Sequence, residues 1–413
     1  MARDDPGTHV ARQPPAGASE AGPAAARDGA TIRLCIEQPA LPAYRIPVFA
    51  ELARRPGLVV EVLYSKKAKL PNVAAEGFAA RAVDERRLLS WPREVRWVPA
   101  LREATDPSRV DVAVLEYNPG VPNLLPAMAK ARRRGVGVVL WGHGYSIRDT
   151  WASRRLRNWI GSKADAVLLY NEPARQRMIE EGMDPRRLFV APNAMDQRPI
   201  QEARQRWLAD EQGLEAFARR HGLDRGPVVL FVSRLLAQNR IELLLHAVAR
   251  LSSSHPDLIA AIVGDGPQRG ELQALARRLG IADRVVMPGA IYGEAELAPW
   301  FLSSRVFCYP DNIGLSVLHA LGYGLPVVTS GQMWHHPPEA QCLVHEQNGL
   351  LVDLNHPGSL AEAIARLVDD PAWARSMGEA GRQMVLQRYT IEAMVDGYES
   401  AVRFADRCRR AHR

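Results

Sequence analysis

Two glycine-bearing loops carry the clearest chemical signal in the chain. Gly264-Asp265-Gly266 follows Ile259–Val263, and Asp311-Asn312-Ile313-Gly314-Leu315 follows Val306–Tyr309; each opens a helix-like stretch. A buried strand ending in such a loop aims backbone N–H groups and the positive end of a helix at one spot, which suits a phosphate. Two of them in one half of the chain imply a nucleotide site, with the N–H groups of Asn312 to Leu315 as a cradle and Gly314 permitting close backbone approach. Asp311 stands where it either caps the helix or accepts hydrogen bonds from sugar hydroxyls. His319, about two helical turns further on, is placed to reach a ribose. Arg234 and Arg240, after Val228–Val232, stand where cations would meet a diphosphate, because a guanidinium fork grips two phosphate oxygens at once. The competing reading is of two surface arginines. Gly264-x-Gly266 alone also resembles the start of a dinucleotide fingerprint. An NAD site would want Asp or Glu after the next strand, which ends instead in Pro288-Gly289, so a nicotinamide dehydrogenase is rejected.

The first half offers a second group. Tyr44 and Arg45 follow the strand-like run Ile32–Ile36, and ligands of open α/β sheets bind at the carboxyl ends of strands. Both residues are candidate substrate contacts; the alternative is that they cap and pack the first helix. His143 sits between Gly142 and Gly144 after Gly137–Trp141, where it is placed to donate a hydrogen bond or a proton to a phosphate or sugar oxygen. The stretch Trp151–Ile160, with Arg154, Arg155, Arg157 and nearby Lys163, is basic, amphipathic and rich in tryptophan. Such a helix suits an anionic membrane surface; alternatively it is a surface helix whose Leu156, Trp159 and Ile160 face a sheet.

Twelve strand-like runs position these residues. Six are Ile32–Ile36, Val59–Tyr64, Val112–Leu115, Gly137–Trp141, Ala166–Tyr170 and Leu188–Val190. Six more are Val228–Val232, Ile259–Val263, Arg284–Met287, Val306–Tyr309, Pro326–Thr329 and Gly349–Val352. Short Val-, Ile- and Leu-rich runs separated by amphipathic helices indicate parallel sheets buried on both faces, so the fold class is α/β with two doubly wound, Rossmann-like domains. The spacing predicts a disordered leader over 1–29, a first domain over 30–195, a second over 196–388, and one or two closing helices over 389–413 that pack on either domain. The leader is rich in Ala, Pro, Gly and charge without an apolar segment, so no signal peptide is expected. A length of 413 residues exceeds one ordinary core. No apolar run approaches the roughly 20 residues of a membrane span. Four scattered cysteines without metal or redox spacing predict a reduced, cytosolic setting and no metal site. The net charge of +7 fits nucleic acid, an anionic membrane or phosphorylated substrates. No nucleic-acid motif accompanies it, and an arginine-rich solubilising surface explains it as well.

Taken together these residues resemble the family 4 glycosyltransferases, which have the GT-B fold of two domains facing a cleft. The resemblance runs over roughly 30–395 and is strongest over 227–355. In that family an Arg and a Lys after the first strand of the second domain bind the donor diphosphate. Arg234 matches the Arg, while the Lys position falls on Asn239, beside Arg240. A Glu-x7-Glu motif holds donor sugar and ribose; here the pattern is Asp311-x7-His319. The His143 loop resembles the family's active-site histidine loop, and Tyr44-Arg45-Ile46-Pro47 and Pro192-Asn193-Ala194-Met195-Asp196 resemble further landmarks. The resemblance implies a retaining enzyme that transfers a sugar from a nucleotide-diphosphate sugar, without metal or other cofactor, to a lipid-linked or saccharide acceptor. It implies donor contacts from Arg234, Arg240, Gly264, Asp265, Gly266, Asp311–Leu315 and His319, and acceptor contacts from Tyr44, Arg45 and His143. Arg234, His143 and Asp311 are the expected catalytic residues. The expected setting is surface-polysaccharide assembly on the cytoplasmic membrane face. A nucleotide-sugar 2-epimerase and a non-catalytic GT-B module are the alternatives.

Overall fold

Runs of Val, Ile and Leu with no polar alternation form strands only where both faces of a sheet are covered. In the computed structural model, which describes residues 31–68, 70–90, 94–146 and 149–411, they do so twice. In the first half lie β1 (Ile32–Gln38), β2 (Leu58–Ser65), β3 (Ala79–Val83), β4 (Arg86–Leu89), β5 (Val95–Trp97), β6 (Val112–Glu116), β7 (Gly137–Gly142), β8 (Ala166–Leu169) and β9 (Leu188–Val190). In the second lie β10 (Val228–Val232), β11 (Ile259–Val263), β12 (Val285–Gly289), β13 (Val306–Cys308), β14 (Val327–Ser330) and β15 (Gly349–Val352). The sheets run β3-β2-β1-β6-β7-β8-β9 and β12-β11-β10-β13-β14-β15, and every pairing within them is parallel. The fold is GT-B. Strand order reverses between β1 and β6 and again between β10 and β13, the points where a crevice opens at the carboxyl edge.

Two pieces depart from the twelve expected strands. β3 joins the first sheet beyond β2, and β4 pairs with β5 as a separate antiparallel ribbon. β3 is Ala-Ala-Arg-Ala-Val and β4 is Arg-Arg-Leu-Leu, both without the apolar run that marks a buried strand, because both lie at the surface. The leader expected over 1–29 lies outside the described residues.

Period two sends alternate residues of each strand to opposite faces. Leu34, Ile36, Val139 and Trp141 pack on one side of the first sheet with Phe49 and Tyr398, while Cys35, Val138 and Leu140 pack on the other with Met128 and Ile160. Tyr398 belongs to the helix Ile391–Ala411, which returns from the second half of the chain and lies across β7, β8 and β9. Its apolar residues Ile391, Met394, Val395, Tyr398, Ala401, Val402 and Ala405 recur at three- and four-residue steps and are buried. Ion pairs Arg55–Asp396 at 2.8 Å and Arg409–Asp111 at 3.3 Å fix the helix from both ends. Among the described residues no helix is long and apolar enough to cross a membrane.

This helix approaches β9 backbone to backbone. A Cβ on Gly397 would stand 2.2 Å from the Val190 carbonyl oxygen and 2.8 Å from Ala191 Cα. Gly to Ala inside a free helix gains about 1 kcal/mol, whereas overpacking costs about 1–3 kcal/mol. Gly397→Ala therefore lowers the melting temperature; a rise would show that the helix shifts freely off the sheet.

Candidate active site

The turn after β10 presents Arg234 to solvent, and among the described residues its guanidinium has no protein partner. Arg240 closes the turn in a left-handed conformation, φ 51°, and lies 3.8 Å from Glu242. A non-glycine residue held there stores strain. Asn239 is buried between them, its Nδ2 donating to the Arg234 carbonyl at 2.8 Å. Asn239 braces the turn that carries Arg234.

Gly264 and Gly266 serve this turn. A Cβ would lie 1.9 Å from the Ser233 carbonyl oxygen at Gly264 and 2.5 Å from the Leu235 carbonyl oxygen at Gly266, and both residues have positive φ. Their amides are taken: Gly264 N–H donates to the Gly289 carbonyl at 2.8 Å and Gly266 N–H to Asp265 Oδ1 at 2.7 Å. The two glycines of the expected phosphate loop thus pack closely under the turn that carries Arg234.

The cradle expected over Asn312–Leu315 is half available. Asn312, with φ 60°, donates its N–H to Asp311 Oδ1 at 2.9 Å. Ile313 donates to His336 Nδ1 at 3.1 Å, and His336 Nε2 donates to the Ser330 carbonyl at 3.0 Å, which sets a neutral tautomer that burial favours. Among the described residues the N–H groups of Gly314 and Leu315 have no acceptor. Asp311 does not cap the helix Ser316–Tyr323, whose first turn receives no side-chain cap. His319 Nε2 lies 2.9 Å from Glu294 Oε1, and Tyr323 donates to Glu294 Oε2 at 2.6 Å.

On the first sheet, Arg45, expected to contact the acceptor, is largely buried and engaged by protein groups. Its guanidinium donates to Asn193 Oδ1 at 2.8 Å and Tyr170 Oη at 3.2 Å, and lies 4.7 Å from the Trp141 ring centre. Asn193 donates in turn to the Glu339 carboxyl, and Asn171 to the Pro338 carbonyl at 3.2 Å. A cavity of about 310 Å³ is lined by Tyr44, Arg45, His143, Tyr170, Asn193 and Glu339, so loops beyond β1, β7, β8, β9 and β14 meet in one place. His143 also lines an adjoining cavity of about 590 Å³ with Glu116, Asn118 and Tyr145. Both volumes suit small ligands. Glu339 was not among the expected residues, although its place after β14 is a signal of the same kind. Its Oε2 is buried without a partner among the described residues, and burial raises its pKa.

The helix Trp151–Gly161 buries Ile160 and Arg157. Leu156 and Trp159 do not face the sheet as the surface-helix reading expected: they are 48% and 50% exposed, and Trp151 is 66% exposed. Arg155 lies 5.0 Å over the Trp151 ring and Lys163 5.4 Å over Trp159.

Residues 15–194 match the glycosyl transferase 4-like domain, and residues 213–384 match the glycosyl transferases group 1 family. The chain belongs to the family 4 glycosyltransferases. A GDP-mannose-dependent alpha-(1-6)-phosphatidylinositol monomannoside mannosyltransferase of Mycolicibacterium smegmatis is 28% identical to this glycosyltransferase over 331 residues, spanning 75% of this chain and 84% of that protein. Two solved structures share its fold. Anabaena HepE in complex with UDP has a TM-score of 0.64 and 16% identity, covering 89% of this chain and 98% of its own. A Rickettsia africae glycosyltransferase has a TM-score of 0.66 and 13% identity, covering 91% and 98%.

Desolvation by the surrounding protein first, then the Arg45 and Arg157 cations, lower the His143 pKa from its ordinary 6.5 to about 4, although the ring itself opens onto the two cavities and is exposed. The ring is neutral near neutral pH and supplies a hydrogen bond rather than a charge. Between these two values the unfolded chain holds the proton and the folded enzyme does not. The stability this contributes above 6.5 is therefore lost as pH falls toward 4. Glu37, whose pKa burial and the Glu116 charge raise, acts in the opposite sense, losing its contribution as pH rises. Chemical denaturation at about pH 7 and about pH 4 is expected to show a smaller loss for His143→Gln than for the natural chain. Equal losses would mean that His143 titrates normally.

Proposed function

We propose that this glycosyltransferase transfers a sugar, with retention of configuration, from a nucleotide-diphosphate sugar to a lipid-linked or saccharide acceptor. Residues 196–388 hold the donor and residues 30–195 the acceptor. The observation that carries the reading is the Arg234 guanidinium, unpartnered among the described residues, at the reversal point of the second sheet, on a turn braced by Asn239, Gly264 and Gly266. Bond cleavage develops charge on the leaving diphosphate. Arg234, Arg240, the free N–H groups of Gly314 and Leu315, and the helix start behind them stabilise that charge in a fixed geometry. Asp311 accepts from donor-sugar hydroxyls, and neutral His143 orients the reacting sugar from the opposite domain, beside Tyr44. The mycobacterial relative's name, with GDP-mannose as donor and a phosphatidylinositol glycoside as acceptor, supports a nucleotide sugar and a lipid-linked acceptor of the surface-glycan kind.

The helix Trp151–Gly161 brings the enzyme to a cytoplasmic membrane face. Its exposed tryptophans and basic residues combine apolar insertion with attraction to anionic headgroups. Leu156 and Ser153 of this helix line the larger cavity, so a membrane-held acceptor enters beside the surface that holds it.

A thermal-shift screen with UDP, GDP and ADP is expected to give a clear shift with one base; no shift with any of the three would overturn the donor site. A hydrogen bond to a charged group contributes about 1.5–3 kcal/mol, so Arg234→Ala is expected to lower turnover about 10- to 100-fold. Its melting temperature is expected to stay unchanged, since the side chain is exposed. Unchanged turnover would remove Arg234 from the site. Co-sedimentation is expected with anionic but not neutral vesicles, weakening with salt and with Trp151→Ala/Trp159→Ala; no sedimentation with anionic vesicles would refute membrane contact.

A further inference from the structure

The loop after β12 carries two features that the chemistry above leaves unused. The first is Glu294, which opens the helix Glu294–Leu302. Its carboxyl is held from one side by His319 and Tyr323, which lie one turn apart on the helix Ser316–Tyr323. Phe301 backs both rings, 4.7 Å from His319 and 4.6 Å from Tyr323. A carboxylate has about four acceptor positions, and these contacts leave part of it free. Its side chain stays 26% exposed, so the free edge meets solvent. Burial acts to raise its pKa, and the His319 and Tyr323 bonds outweigh that and lower it. The second feature is Tyr292, 91% exposed and the most exposed large apolar side chain among the described residues. It lies two positions before Glu294 in the same loop.

The placement gives both a direction. Ser316 Oγ donates to the carbonyl of Val232 at 3.2 Å, two residues before Arg234. Ser316, His319 and Tyr323 fall on one face of their helix. That face starts at the turn carrying the proposed diphosphate cations and ends at the Glu294 carboxylate. A nucleoside diphosphate presents its groups in the same order: phosphates, then a ribose with two vicinal hydroxyls, then a flat base. A fixed, ionised carboxylate with free acceptor positions suits vicinal hydroxyls. An exposed aromatic ring suits a base of any sequence, because every base has a π-face.

We propose that the loop Ile291–Glu294 takes the nucleoside of the donor, with Glu294 accepting from the ribose hydroxyls and Tyr292 stacking on the base. His319 is then a positioning residue that orients Glu294. This assignment rests on the donor reading above. It relocates ribose recognition from the helix of Asp311-x7-His319 to a neighbouring helix, 25 residues earlier in the chain.

The test measures binding of UDP, GDP, ADP, their 2′,3′-dideoxy forms and inorganic pyrophosphate to the natural chain and to Glu294→Ala, Glu294→Gln and Tyr292→Ala. The natural chain is expected to prefer the ribonucleotide by about tenfold or more. In both Glu294 variants that preference falls to about one while dideoxynucleotide and pyrophosphate binding persist; Tyr292→Ala weakens both nucleotide forms equally and spares pyrophosphate. A preference that survives Glu294→Ala reduces the trio to a brace between two helices and overturns the assignment. Equal loss of ribo- and dideoxynucleotide binding in both Glu294 variants does the same. Pyrophosphate binding without any ribose preference in the natural chain defeats this assignment alone, while absence of all binding defeats the donor reading with it.

Discussion

The buried guanidinium of Arg45 is the constraint on which the two-domain arrangement depends. A cation taken out of water is costly unless its donors and faces are all engaged. Arg45 is satisfied by Asn193 and Tyr170, by the Trp141 and Tyr44 rings, and by Met394 Sδ at 3.6 Å. Those partners come from the ends of β7, β8 and β9 and from the returning helix. Each element must be in place before the charge is tolerated. Asn193 then passes the constraint on through its bond to Glu339, which lies beyond β14 of the other sheet. One side chain at the start of the first helix thereby couples the carboxyl edges of both sheets.

The donor side obeys a similar economy of bracing. Asn239 and the two glycines shape the Arg234 turn without meeting a ligand in this arrangement, and Tyr309 adds a bond to Ser233 at 3.2 Å. His336, from the loop that also carries Glu339, takes the Ile313 amide. The proposed leaving-group site and the interdomain cavity therefore share one loop, 332–339.

Much of this architecture is legible in the chain, and the limits have physical causes. β10, β11 and β15 are short apolar runs with Pro or Gly at one end, and their ends read to the residue. β3 and β4 do not read, since surface strands need no apolar run. The glycines at 264 and 266 are visible, but their purpose is not: whether an amide is free depends on a carbonyl from another loop. Arg45 and Arg234 are equally basic in sequence, and only burial separates a crosslink from an exposed cation. Glu294 reaches His319 by tertiary packing that no spacing rule encodes.

The helix Ile391–Ala411 has a consequence for how the molecule is made. It covers the face of the first sheet that presents Val139, Trp141 and Leu168. On the ribosome that sheet emerges first, yet its cover is synthesised only after the whole second domain. The second sheet has all its strands while the first still has part of an apolar face uncovered beyond the reach of Phe49, the kind of surface that chaperones bind and that aggregates when left unattended. The chain also crosses between the domains twice, so two segments of backbone join them rather than one. The domain begun first is completed last.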